Sequence, residues 1–323
     1  MKHDRVAREH RDQLADPTGR GHANLVVSQC TSDVPVIRDT RSAHPHGSAA
    51  DPFRQESLMP EDHTPLIRTD IPHSARIWNY WMGGKDYYEI DRIAGDAGIE
   101  VDPDITTMAV QSRQFLIRAV RYLAGEQGIR QFLDIGTGLP TMQNTHEVAQ
   151  SVAPESRIVY VDNDPLVLTH ARALLTSTTP EGVTTYIDAD YHDPERIIAD
   201  AKNVLNFNEP IGVMFMGVLG HAKTYDDLLR IVRTVLDSVP SGSYLVMWDG
   251  TDDSKAYVTL CENYTGTGGT PYVPRPQAQI KAVFDGLELV EPGFVSITQW
   301  RPSETQVGEI RPISAYGAVA RKP

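Results

Sequence analysis

The polar–apolar pattern changes character twice along the chain. Through residues 1–65 apolar residues are sparse and follow no period, and prolines fall at 17, 35, 45, 52, 60 and 65. Such a segment buries too little surface to offset the entropy of ordering it. It is predicted to be a disordered tail carrying, at most, a short helix near residues 4–14. Between 66 and 127 the spacing becomes helical. One helix is expected from Ser74 to the stop at Gly83-Gly84, a second from Tyr87 to Ala97, and a third from Asp104 to Ala124. The third repeats Met108, Phe115, Leu116, Ala119, Val120 and Leu123 along one face. These three form a small helical cap.

From 128 to 323 short apolar runs alternate with helical stretches. Strands are predicted near 131–135, 157–162, 183–188, 211–217, 242–249, 287–299 (in two pieces) and 313–320. Helices are predicted near 145–152, 164–176, 194–203, 224–239 and 275–285. Alternation of this kind gives a parallel sheet covered on both faces. The last two strands are joined by a loop near Arg301 to Glu309, too short for a crossover helix, so they should pair antiparallel. The expected fold is α/β: a Rossmann-like, seven-stranded, mostly parallel sheet with a C-terminal antiparallel hairpin and an N-terminal helical cap.

The chain of 323 residues is 40% hydrophobic and 23% charged, enough for one large domain or two modest ones. A formal net charge of −13 disfavours broad nucleic-acid binding, which needs clustered Lys and Arg. The two cysteines, Cys30 and Cys261, form no CxxC pair, and no metal site is expected. Six of the eleven histidines lie in the tail at irregular spacing, which favours a solvated segment over a metal site. The N-terminus lacks the apolar core of a signal peptide, and no apolar run reaches membrane-spanning length, so a cytoplasmic protein without a membrane partner is expected.

The candidate chemistry gathers at the strand ends. Asp134 ends the first strand just before Gly136-Thr137-Gly138, and Asp162 closes the second. Glycines let a ligand approach the backbone, and a carboxylate at the next strand end can hold two ribose hydroxyls. A dinucleotide fingerprint would need a third glycine, where Pro140 and Thr141 stand instead. Asn144 followed by Glu147 has the spacing of a helix cap, so the helix starts late and Gly136 to Gln143 forms a long loop. Such a loop suits the methionine part of S-adenosyl-L-methionine better than a pyrophosphate. Asn163 stands beside Asp162, and Asp190 after the third strand can accept a hydrogen bond from an adenine amino group. The blander reading of each is a turn or a helix cap, but three carboxylates at three successive strand ends are harder to dismiss than one.

The cap contributes too. Arg113 or Lys85 can pair with the donor's carboxylate, and Asp86 can accept from its ammonium. Tyr80 can cover the ligand beside Gly83 and Gly84. Gly217 ends the fourth strand. His221 follows that strand at the mouth of the sheet and is the leading general-base candidate, with Asp249 second and His192 third.

Taken together, several stretches resemble one family: Ala75-Arg-Ile-Trp-Asn-Tyr-Trp-Met-Gly-Gly-Lys-Asp86, Phe132-Leu-Asp-Ile-Gly-Thr-Gly-Leu-Pro-Thr141, Asn144-Thr-His-Glu-Val-Ala149 and Tyr160-Val-Asp-Asn-Asp-Pro165. Pro292-Gly293, Trp300-Arg-Pro302 and Tyr316 to Lys322 fit as well. These stretches are similar to the actinobacterial S-adenosylmethionine-dependent methyltransferase family once labelled only as a domain of unknown function. The resemblance spans roughly residues 65–323 and implies a donor-binding Rossmann-like sheet with a helical cap. It names no acceptor. Where the family usually has a His-His pair after the fourth strand, this chain has Gly220-His221. Where it has Ser-His after the fifth, this chain has Trp248-Asp249. The expected activity is methyl transfer to an oxygen or nitrogen of a small molecule. An NAD(P)-dependent reductase, and a donor-binding regulatory protein without transferase activity, remain open at this point.

Overall fold

The computed structural model describes residues 67–141, 143–174, 176–303 and 310–323. The expected tail over 1–65, with Cys30, lies outside the described residues. Three helices lead into the sheet: α1 (Ser74–Trp81), α2 (Glu89–Val101) and α3 (Ile105–Gly125). There follow β1 (Gln131–Ile135), α4 (Thr145–Val152), β2 (Arg157–Asp162), α5 (Pro165–Leu174), β3 (Val183–Asp188), α6 (Pro194–Ala201) and β4 (Gly212–Met216). A 3-10 turn at Leu219–His221 leads to α7 (Tyr225–Ser238), β5 (Tyr244–Gly250), α8 (Lys255–Gly266) and α9 (Gln277–Ala282). The chain closes with β6 (Glu288–Leu289), β7 (Val295–Ser296) and β8 (Ala315–Arg321).

The strands run in the order β3-β2-β1-β4-β5-β8-β6, with β7 also on β8. The first five are parallel, and β8 lies antiparallel between β5 and the β6 and β7 pieces. The sheet counts eight strands where seven were expected, because the strand expected in two pieces over 287–299 forms the two short strands β6 and β7. Between them Pro292 lacks an amide donor and Gly293 takes a φ of 88°, and neither continues a ladder. Helix α8 was not anticipated. Its sequence mixes β-branched and aromatic residues, and its clearest signal is Ser254, whose side chain accepts from the Tyr257 amide.

Side-chain alternation along the central strands serves two cores. Met214, Val246 and Trp248 pack with Phe115, Val120 and Leu123 of α3 and Tyr257 of α8. Val213, Phe215, Leu245 and Met247 pack with α6 and α7 through Ile197, Leu228, Ile231 and Val235.

The cap is tied together by a buried ion pair. Arg76 is 2% exposed and Asp91 is fully buried. Their Nε–Oδ2 distance is 3.1 Å. Arg76 also donates to the carbonyls of Arg68 and Ile71, and Asp91 accepts from the amides of His73 and Tyr88. The pair therefore fixes where α1 begins relative to α2. Removing the cation would strand a carboxylate that water cannot reach. Arg76→Ala is expected to lower stability by about 3–5 kcal/mol, measured by urea unfolding of the full-length protein.

Candidate functional site

Because β1 to β4 are parallel, their C-terminal ends open on one edge of the sheet, where ligands bind in open α/β folds. A cavity of about 260 Å³ lies there. It is lined by Asp134, Gly136, Thr137, Gly138, Asp162, Asn163, Asp190, Gly217, Arg113 and His221. Ten of the residues expected from sequence are thus brought together, and His192, the third base candidate, lines the cavity as well.

The loop after β1 is built on two left-handed glycines, Gly136 at φ 76° and Gly138 at φ 66°. A Cβ at Gly136 would strike Val218. At Gly138 the nearest atom, on Ala75, is 4.0 Å away, so the backbone there is open to a ligand. Asp162 pins this loop. Its Oδ2 accepts from the Gly138 amide at 2.7 Å, and its Oδ1 from the amides of Asn163 and Asp164 at 2.8 and 3.0 Å. A carboxylate has about four acceptor sites, so three such bonds leave capacity for a ligand hydroxyl. The long loop ends as expected: Asn144 and Glu147 form a reciprocal capping box at the start of α4.

Asp134 is 2% exposed and accepts from Thr145 Oγ1 at 2.7 Å. Burial pushes its carboxyl up to about 6, against the opposing effects of the Thr145 hydrogen bond and the Arg113 charge. Arg113 sits across the cavity, and burial holds its guanidinium below the usual arginine value. It feels the Asp134 charge but makes no hydrogen bond or ion pair with the described residues. A desolvated cation and a desolvated anion that do not satisfy each other face the same space. At the far end, Asp190 Oδ1 lies 2.8 Å from His192 Nδ1.

His221 belongs to the 3-10 turn after β4. Its Nδ1 is 2.9 Å from the Pro271 carbonyl, which can only accept, so Nδ1 carries the proton and Nε2 the lone pair. Burial lowers its pKa and keeps the ring neutral.

The remaining expected residues are not brought to the cavity. Asp249 is 1% exposed, receives the Tyr272 hydroxyl and the Gly250 amide, and does not line the site. Burial raises its carboxyl to about 6. Tyr80 donates to Asp96 and stacks edge-on against Tyr87. Gly83, Gly84, Lys85 and Asp86 form the turn after α1, wired to buried Asn79 through the Gly84 and Asp86 amides. The opposite face of α1 reaches the cavity instead, through Ala75, Trp78 and Met82, together with His73 before the helix. The 3- and 4-residue spacing of those three is the signal that would have found it. Among the described residues, no group of His, Cys, Asp or Glu could hold a metal ion. No described helix is long and apolar enough to cross a membrane.

Sheet order, glycine loop and strand-end carboxylates together define a Rossmann-like methyltransferase that uses S-adenosyl-L-methionine. The chain belongs to the S-adenosyl methyltransferase family, whose sequence profile matches residues 60–323. It is similar to a solved duf574 family protein from Streptomyces avermitilis MA-4680 at 45% identity. That match covers 80% of this chain and all of the other, with a TM-score of 0.76. A solved protein from Thermobifida fusca YX is 39% identical, covering 82% of this chain and 99% of its own, with a TM-score of 0.72. No curated protein matches the chain. The family sets aside the reductase reading and identifies the chain as an enzyme rather than a donor-binding regulator.

The raised Asp134 pKa has a consequence for stability. A carboxyl whose folded pKa exceeds its unfolded value binds protons more tightly when folded, so its contribution is lost as pH rises from about 4 through about 6. Asp134→Asn is expected to remove roughly 2–3 kcal/mol of that decline, leaving a shallower slope to which Asp249 still contributes. Urea unfolding at pH 4, 5, 6 and 7 measures it.

Proposed function

We propose that the enzyme moves the methyl group to an oxygen or nitrogen of a small molecule bound beside His221. The observation that carries this reading is the His221 ring, whose Nδ1 is committed to Pro271 while Nε2 is free to take a proton at the cavity wall. When bound, S-adenosylmethionine supplies an electrophilic methyl on a sulfonium, an excellent leaving group. The protein's task is then to hold, align and exclude water.

Arg113 is the partner for the donor's carboxylate, and Asp134 the counter-charge for its ammonium. The mutual non-satisfaction of those two side chains supports the assignment. Gly136, Thr137 and Gly138 give the backbone cradle. Asp162, with Asn163 beside it, holds the ribose hydroxyls, and Asp190 lies where the adenine edge falls, steadied by His192. Gly217 keeps the end of β4 clear, since a Cβ there would run into the Trp248 ring. Asp249 acts from beneath, holding Tyr272, and Tyr80 through Asp86 shape the cap rather than touch the ligand.

Two measurements test these roles. Arg113→Leu is expected to weaken donor binding by about 10- to 100-fold in titration calorimetry, the value of one lost charge-assisted hydrogen bond. Its thermal stability should be unchanged or higher, because a poorly solvated cation has been removed. His221→Asn is expected to lower kcat toward a hydroxyl acceptor by about 10²- to 10⁴-fold while leaving donor affinity intact. Full single-turnover transfer by that variant would overturn the assignment of His221 as base.

A further inference from the structure

A second, smaller cavity of about 40 Å³ opens behind His221, between α1 and α8. It shares Ser74, Trp78 and His221 with the donor cavity. Its walls are Ile77, Trp81, Leu260, Tyr257 and Tyr272 with their neighbours, and no Lys, Arg, Asp or Glu lines it. We propose that this pocket receives the ring of a neutral aromatic hydroxyl compound, a phenol, as the methyl acceptor. The proposal rests on the reading of His221 as the site of transfer and adds the acceptor's class.

Three features select that class. The first is charge: a charged acceptor entering this pocket would be desolvated with no counter-ion to meet it. The second is shape. At roughly 10–15 Å³ for each water-sized group, the pocket takes about three heavy atoms, the leading edge of one ring rather than a fused system. Its aromatic walls already meet edge-on: Trp78 and Trp81 at 5.6 Å and 76°, His221 and Tyr272 at 5.1 Å and 90°. A further ring can join that pattern. The walls are also held in advance. A Cβ on Gly220 would collide with the Tyr272 ring, and one on Gly250 with the Tyr257 hydroxyl. The Tyr272 hydroxyl is fastened to Asp249. A preformed pocket of this kind spends little free energy on ordering when a ligand enters.

The third feature is proton affinity. A phenol ionises near 10, as tyrosine does, whereas a water-like hydroxyl ionises near 16. A neutral imidazole can take the first proton as the new bond forms, and is poorly matched to the second. An alkyl ammonium, protonated up to about 10, has no lone pair with which to attack. In the transfer, the phenol O–H proton goes to His221 Nε2 and the oxygen forms the new O–C bond. The S–C bond breaks with its electron pair left on sulfur, so charge and atoms balance.

The test is binding, read separately from turnover. Full-length protein saturated with S-adenosylhomocysteine is titrated with phenol, cyclohexanol and benzylammonium, followed by tryptophan fluorescence and calorimetry. Phenol is expected to bind about 3- to 10-fold tighter than cyclohexanol, the range given by one edge-to-face contact, and benzylammonium weakest. Cys261→Phe, which places a ring in the pocket, is expected to abolish phenol binding while S-adenosylhomocysteine still binds. The wild-type series stands alone if that variant fails to fold. Equal affinity for phenol and cyclohexanol, a preference for benzylammonium, or phenol binding undiminished in folded Cys261→Phe would overturn the proposal. If phenol binds as expected but His221→Asn methylates it at the wild-type rate, the pocket assignment stands and the base assignment falls.

Discussion

The site depends on one carboxylate spanning two strand ends. Asp162 finishes β2, and its Oδ2 takes the amide of Gly138 from the loop after β1. That loop has no helix of its own until Asn144, so without the bond it would have little to hold its shape. Gly136 and Thr137 add amide bonds to the Val161 carbonyl from the same strand. The neighbouring strand therefore positions the cradle from the side, and the cradle's geometry follows from the β1–β2 register. Holding a half-buried acid in this way costs something: desolvation raises the Asp162 pKa, and the backbone amides of Asp164 and Gly138 only partly offset it. Such stored cost is common where a fold prepares a site for a polar ligand.

The same logic explains why much of the site was legible in the sequence and part was not. Asp134, Gly136, Gly138 and Asp162 stand at fixed offsets from runs of period-two apolar residues, and parallel topology alone carries them to one edge. Asp190 and His221 follow from the same rule. The rule misplaces Asp249. It too ends a parallel strand, but Tyr272 returns from the segment after α8 and closes over it. That contact lies 23 residues away, in a stretch without periodic pattern, and α8 itself was unseen. The cap shows the complementary difficulty. Gly83-Gly84-Lys85-Asp86 is conspicuous as a string of unusual residues, yet it is a turn satisfied by Asn79. Ala75, Trp78 and Met82 are inconspicuous and line the cavity. Composition drew attention to one face of α1, while docking of the helix, set by Arg76 and Asp91, decided the other.

Charge also organises the site at a larger scale. Asp134 and Asp249 are buried and Asp162 is half-buried near one sheet edge, and desolvation raises all three carboxyls. Against them stands Arg113, a cation with no direct partner among the described residues. A zwitterion laid between Arg113 and Asp134 would satisfy both at once, which neither side chain can do for the other at their present separation. The electrostatics therefore favour a ligand with a negative and a positive group a few bonds apart at one end. This is a narrower requirement than the glycine loop imposes, because a glycine loop excludes no ligand by charge. The amino-acid end of the methyl donor meets it, and a dinucleotide phosphate does not, since its second charge would also be negative.

The base role proposed for His221 would rest on position as much as on chemistry. It lines both cavities, with its Nδ1 turned to the Pro271 carbonyl and its ring edge-on to Tyr272. Pro271 and Tyr272 are adjacent in sequence, so the residue that fixes the tautomer is anchored by the one that walls the smaller pocket. Tyr272 in turn is fastened to Asp249 at the end of β5. The rigid sheet is thereby linked through Asp249, Tyr272 and Pro271 to the orientation of a single imidazole. A carboxylate that touches no ligand would in this arrangement still bear on the transfer, by holding the tautomer that leaves Nε2 able to accept a proton.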